Sequence, residues 1–207
     1  NGTLDLVLNH GNALNATVSV TAFGPATTAT ADYTVAETDE VAVLDHNSIG
    51  LSGTATLKDA GGNQPQVWTA ATKLSANKTG IVIDGVRPTI TKINSDSPAA
   101  YYKVGDIIKI KIFFSENVET SGAGIIAATL ETGAVNPDYV LTYNTDIDPA
   151  NTEVEASYTI RLNDFNASLN VNSIAINNGT VSDVAGNAMV AAGRTIPPGK
   201  NLADEVV

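Results

Sequence analysis

Apolar and polar residues alternate with a period of two along most of this chain, the spacing of a β-strand with one face turned to a core. The pattern is clearest in "DIIKIKIFF", residues 106–114, where Ile108, Ile110, Ile112 and Phe114 fall on one face and Lys109 and Lys111 on the other. It predicts a half-buried antiparallel strand. The same alternation predicts strands in "TLDLVLN", "ATVSVTAF", "ADYTVAE", "SIGLSGTATL", "PTITKI", "IIAATLET", "YVLTYN", "EVEASYTIRL" and "SIAINNGTVS". Gly, Asn, Asp and Pro punctuate these segments at intervals suited to a β-sandwich. No stretch keeps a 3.6-residue period, so the expected fold class is all-β.

The strands repeat. "DYTVAETDEVAVLDHNSIGLSGTATLKDAGGN" matches "SYTIRLNDFNASLNVNSIAINNGTVSDVAGN": Tyr33 to Asn47 and Tyr158 to Asn172 each span 14 positions, and Asn63 to Ile83 and Asn187 to Val207 each span 20. Upstream, "TLDLVLNHGNALNATVSVTAF" aligns with "IIAATLETGAVNPDYVLTYNT" when Gly11 is set on Gly133, with a three-residue gap before the Tyr strand. A period of this kind predicts tandem modules, over residues 1–84 and 85–207. Residues 85 to about 123 have no counterpart ahead of Asn1, so the first module is expected to lack its first two strands. Such a sandwich exposes unpaired backbone groups and an apolar groove, both costly. Three readings stand open: the strands were cut from a longer protein, another subunit supplies them by strand addition and links chains into a filament, or the module folds with fewer strands.

Composition narrows the function classes. The 207 residues are 43% hydrophobic, enough for a core in each of two modules. Net charge is −11 and the 11 basic residues are dispersed, so a phosphate backbone is repelled and nucleic acid is not an expected partner. The absence of cysteine removes disulfide scaffolds, thiolate zinc sites and cysteine nucleophiles. No apolar run nears the roughly 20 residues of a membrane span. The polar opening "NGTLDLVLNHG" does not read as a signal peptide, so any targeting segment is expected to have been removed or to lie outside this sequence.

The residues "YTI…NSIAINNGTVSDVAGNAM…N", with "IVIDGVRPTI" and then "VGDIIKIKIFFSENV" following the first copy, resemble the tandem bacterial Ig-like repeats of large extracellular adhesins and surface-layer-type proteins. The resemblance covers nearly all of the second module and the later two-thirds of the first. Its motifs are the Asp-x-x-Gly-Asn loop and an Asp-Gly linker followed by Arg-Pro-Thr. The first copy departs from it with "DAGGN" and with the missing leading strands. The resemblance implies Ig-like Greek-key β-sandwiches serving as a rod segment, often with calcium at module junctions. The expectation is therefore a structural, non-enzymatic protein of the cell exterior, part of an adhesin stalk, surface layer or filament. Its partners would be copies of itself or adjacent modules of a parent protein, with β-strand complementation of the first module.

Candidate chemistry sits in the acidic loops. In an Ig-like sandwich the start of the first strand, the loop after the second strand and the last loop share one pole. In the second module these carry Asp84, Glu116, and Asp183 with Asn187, and the loop "AETDE" of the first module, with Glu37 and Asp39, is expected to face the same junction. Hard oxygen ligands converging there suit calcium. The competing reading is that Asp59 and Asp183 cap turns through local amides while Gly62 and Gly186 supply positive φ.

Other features carry less. His10 and His46 have no companion Cys or nucleophile elbow and are expected in surface or turn positions. Asp146 and Asp148 resemble a glycosidase pair in type only, and Trp68 is a sugar-stacking candidate whose equivalent in the second copy is Ala192. The sequons at Asn1, Asn15, Asn77, Asn166 and Asn178 match glycan acceptors, as several would by chance in a chain so rich in Asn, Thr and Ser. The alternative function is an accessory carbohydrate- or protein-binding module of a secreted enzyme.

Overall fold

The computed structural model describes residues 2–12, 14–21, 24–64, 72–78, 80–144 and 151–204, with the backbone alone described for residues 121–125 and 144. The chain is mostly β-strand with little helix, an all-β fold. It divides into two compact units, Asn1–Val86 and Arg87–Val207.

The second unit has two three-stranded sheets. One contains β6 (Ile90–Asn94), β7 (Ile107–Phe114) and β10 (Glu153–Thr159), in the order β10-β7-β6. The other contains β8 (Val118–Glu131), β9 (Tyr139–Asn144) and β11 (Asn170–Asp183), in the order β11-β8-β9. All pairings are antiparallel. The chain crosses between sheets from β7 to β8, from β9 to β10 and from β10 to β11.

Alternation along β7 explains this packing. Ile108, Ile110, Ile112 and Phe114 are buried, and they meet Val118, Ile126, Ala128, Leu130, Leu141, Tyr143 and Val181 of the other sheet in one core. The outward lysines bind diagonal carboxylates: Lys109 Nζ lies 2.8 Å from Glu155, and Lys111 Nζ lies 2.7 Å from Asp96 and 3.2 Å from Glu153. Burying the apolar face supplies most of the stabilisation, since exposed ion pairs contribute little.

Among its described residues the first unit has one three-stranded sheet, β2-β1-β4, from β1 (Leu4–Asn9), β2 (Ala16–Val20) and β4 (Asp45–Leu51). A two-residue pairing joins β3 (Glu40–Val41) to β5 (Ile83–Asp84). Leu8, Leu44 and Ile83 are its buried apolar centre. On the opposite face Asp5 accepts hydrogen bonds from the Thr3 and Ser19 hydroxyls, at 2.6 and 2.8 Å.

Several sequence expectations change. "ADYTVAE" is not a strand: residues 28–36 lie outside every strand, because a strand needs a neighbour and none of the described residues pairs with it. β4 begins at Asp45 rather than Ser48 and ends at Leu51. β8 starts seven residues before "IIAATLET", because the 14-residue β11 offers it a partner along its whole length. A short helix, α1 (Leu74–Asn77), appears where no helical period exists. It is held by Asp45 of β4, which accepts from the Leu74 amide at 3.1 Å and the Ser75 hydroxyl at 2.8 Å.

Candidate cation site and the paired tyrosine corners

β11 ends at Asp183, and the next four residues close a tight loop. The Asp183 carboxylate accepts from the Asn187 backbone amide and from its side-chain nitrogen, both at 2.8 Å, while the Gly186 amide bonds the Asp183 carbonyl at 3.1 Å. Asp59 and Asn63 reproduce this loop in the first unit, with distances of 2.8 and 2.9 Å. The turn-capping reading therefore describes both aspartates.

Glu116 occupies the connection from β7 to β8. That connection is pinned by the Ser115 amide on the Thr89 carbonyl at 2.9 Å and the Val118 amide on the Asn151 carbonyl at 3.1 Å. Val118 pairs with Asp183 in the sheet, so Glu116 follows from two residues beyond the end of that ladder. Its carboxylate offers an oxygen within 4.8 Å of one from Asp183. Asp183 is buried and Glu116 half-buried. Two carboxylates at this separation repel one another, and a divalent cation converts the repulsion into attraction. Asn187 directs its amide nitrogen at Asp183 and so supports the carboxylate.

The remaining expected ligands lie in the first unit. Asp84 ends β5, paired with Glu40, and accepts a bond from the Val86 amide at 3.2 Å. Glu37 is exposed on the turn before β3. Asp39 is buried and serves a different purpose. It accepts from the Tyr33 hydroxyl, from the Ala36 amide at 2.8 Å, and from the Asn12 side chain at 2.8 Å, and it pairs with His10 Nδ1 at 2.6 Å. The Tyr33 and Ala36 bonds hold its carboxyl down at about 2, against the opposing effect of burial. Burial, reinforced by Asp39, pushes the Tyr33 hydroxyl up to about 12. Asp39 ties together the turn between β1 and β2, the segment before β3 and the Tyr33 ring.

The second unit builds the same corner. Asp164 accepts from the Tyr158 hydroxyl, the Arg161 amide at 2.9 Å and the Asn136 side chain at 2.7 Å. Burial raises the Asp164 carboxyl, but the bonds from Arg161, Asn136 and Tyr158 outweigh it and leave it below the usual carboxylate range. In both units a glycine at positive φ makes the close approach: a Cβ on Gly11 would stand 1.7 Å from the Glu40 carbonyl oxygen, and one on Gly133 2.1 Å from that of Phe165. The units differ in the nitrogen-bearing side chain set against the carboxylate. Arg161 places its guanidinium on Asp164 at 3.0 Å, whereas in the first unit the buried His10 ring fills that place, its Nε2 facing the Leu14 carbonyl at 2.8 Å. Both ring nitrogens of His10 thus face oxygen atoms, one of Asp39 and one of the Leu14 backbone.

These corners were not singled out from the sequence, although the signal existed as Tyr-x5-Asp at matching places in the two copies. Their likeness also corrects the surface assignment of the histidines, since His10 and His46 are each only 7% exposed. Trp68, Asp146 and Asp148 lie outside the described residues. No family model, curated protein or solved structure matches the chain.

Proposed function

We propose that this chain is a structural segment of an extracellular surface assembly, built from tandem Ig-like modules that associate by β-strand complementation of the first one. The observation that carries the reading is the contrast between equivalent sheet faces. In the second unit Ile126, Ala128, Leu141 and Tyr143 are at most 3% exposed beneath β6, β7 and β10. In the first unit their equivalents by register, Leu4, Leu6, Val18 and Val20, are only partly covered. Apolar surface of this kind is costly in water and favours association. The order in which β6 to β11 cross between sheets supports the Ig-like Greek-key assignment, and the repeated Tyr–Asp corner supports common ancestry of the two modules. Sedimentation velocity and electron microscopy of the full chain test the assembly. Higher-order species are expected, and a strictly monomeric particle at all accessible concentrations refutes it.

Calcium held where the β7–β8 connection meets the loop after β11 is the second element. Glu116 and Asp183 supply two carboxylates. Asp84, the third carboxylate expected from the sequence, belongs to the first unit, where it ends β5. Calcium at about ten times its dissociation constant would stabilise the native chain by about 1.4 kcal/mol. Calorimetry with calcium and with chelator measures this, and a melting profile indifferent to both, or an unchanged response in Glu116→Gln, removes the site.

A further inference from the structure

We propose that Asn178 is a self-modifying site: in the folded chain its side-chain amide closes onto Gly179 as a cyclic imide, loses ammonia, and reopens as aspartate or isoaspartate. The reaction needs only solvent, and so stands apart from the assembly proposed above. Ring closure brings the backbone nitrogen of the next residue against the asparagine Cγ, and a Cβ on that next residue crowds the approach. Glycine has none. Asparagine precedes glycine twice in this chain, at Asn1 and at Asn178, and Asn1 lies outside the described residues.

The fold leaves this residue open to reaction. β11 pairs Asn177 with Ile125 of β8 and then Gly179 with Gly122, so the ladder skips Asn178. A residue left out at a bulge is freed from the extended geometry of its neighbours. Its φ is +58°, in the left-handed region that asparagine tolerates in turns. Asn177 to Thr180 are all exposed, so water and hydroxide reach the site. The Asn178 side chain makes no hydrogen bond among the described residues. Asparagines that brace turns differ in this respect: Asn187 and Asn63 donate their side-chain nitrogens to Asp183 and Asp59, Asn136 to Asp164, and Asn166 to the Glu131 carbonyl. Expelling ammonia from any of those four breaks a bond that the fold uses, and from Asn178 it breaks none.

The chemistry balances within the chain and solvent. The Gly179 amide nitrogen bonds to Asn178 Cγ as the Cγ–Nδ2 bond breaks, and its proton passes through solvent to the departing nitrogen, which leaves as ammonia. Water then opens the ring at one of two carbonyls. Attack at Cγ restores the original backbone as aspartate, and attack at the backbone carbonyl leaves the chain running through Cγ as isoaspartate, one atom longer. The bulge has already interrupted the register, so the pairs on either side tolerate the longer link. Residues 170–182 carry no charged side chain. Either product places the first one there, and the mark accumulates with the age of the folded molecule.

The test incubates the full chain at mildly alkaline pH beside a synthetic peptide of the Ile176–Asp183 sequence, and follows both by peptide mapping with isoaspartate quantified. A gain of one mass unit at Asn178 is expected, and because the bulge restrains the site little, its rate in the folded chain should lie within about tenfold of the free peptide. The rate should rise with pH, since closure begins from the deprotonated Gly179 nitrogen. Near-ultraviolet circular dichroism that holds constant while the mass changes shows that the chain reacts folded. Asn178→Gln should abolish the gain at this position, because the longer side chain closes a less favourable ring, and Asn187 should stay intact over the same period. A folded chain slower than that tenfold window overturns the proposal. So does a gain that appears only once the dichroism signal is lost, or a first deamidation at any other described asparagine.

Discussion

Two tyrosines in the core of the second unit should respond in opposite directions to loss of the same oxygen atom. Tyr158 is 1% exposed and its hydroxyl donates to the Asp164 carboxylate, whereas Tyr143 is fully buried and its hydroxyl has no partner among the described residues. In Tyr158→Phe the packing of the ring against Tyr139, at 5.0 Å between centroids, is retained and only the bond is lost. A hydrogen bond to a charged group is worth about 1.5–3 kcal/mol. Asp164 keeps its bonds from Arg161 and Asn136, so the lower half of that range is expected. In Tyr143→Phe a hydroxyl held out of water without compensation is removed, and the change should be neutral or stabilising by about 1 kcal/mol. Urea denaturation of the full chain, followed through the second unit's transition, measures both with unchanged m-values. The two substitutions delete identical chemistry from equally buried rings, so any general effect of the swap cancels in the comparison. Equal destabilisation of both variants, or a loss below about 0.5 kcal/mol for Tyr158→Phe, refutes the claim that the corner bond contributes to stability.

Other consequences follow from the same geometry. Ile112→Ala should cost about 2–5 kcal/mol because the residue is fully buried, and Leu6→Ala in the first unit clearly less, since its side chain is only partly covered; paired denaturation curves compare them. Gly133→Ala should destabilise the second unit by at least about 2 kcal/mol, because φ is +105° and the new Cβ would meet the Phe165 carbonyl; a variant of parental stability would contradict that approach. The Asp39 carboxyl is held at about 2 in the folded chain against an ordinary 3.8. Its contribution to stability is therefore present above the ordinary value and lost as pH falls from about 4 towards 2. Acid titration of the first unit's melting temperature should drop through that window, and Asp39→Asn should flatten the drop.

Much of the fold was legible in local pattern. The period-two alternation of "IIKIKIFF" places alternate residues on opposite faces whatever surrounds it, which is why β7 lies where expected with its isoleucines buried and lysines outward. The repeat announced two units because equal spacing between Tyr33 and Asn47 and between Tyr158 and Asn172 is a property of the chain itself. The Asp-to-Asn loops were also readable, since their hydrogen bonds span only four residues.

What tertiary structure decided are the outcomes that depend on a distant neighbour. "ADYTVAE" and "EVEASYTIRL" alternate alike, yet only the second becomes a strand, because β7 lies beside it and the first has no equivalent among the described residues. Asp39 and Asp183 are both loop aspartates to a reader of the sequence. One is closed in by Tyr33, His10 and Asn12, and the other stands beside Glu116. Carboxylates of identical chemistry acquire different roles from the groups that folding brings to them, and all of these but Tyr33 lie tens of residues away along the chain.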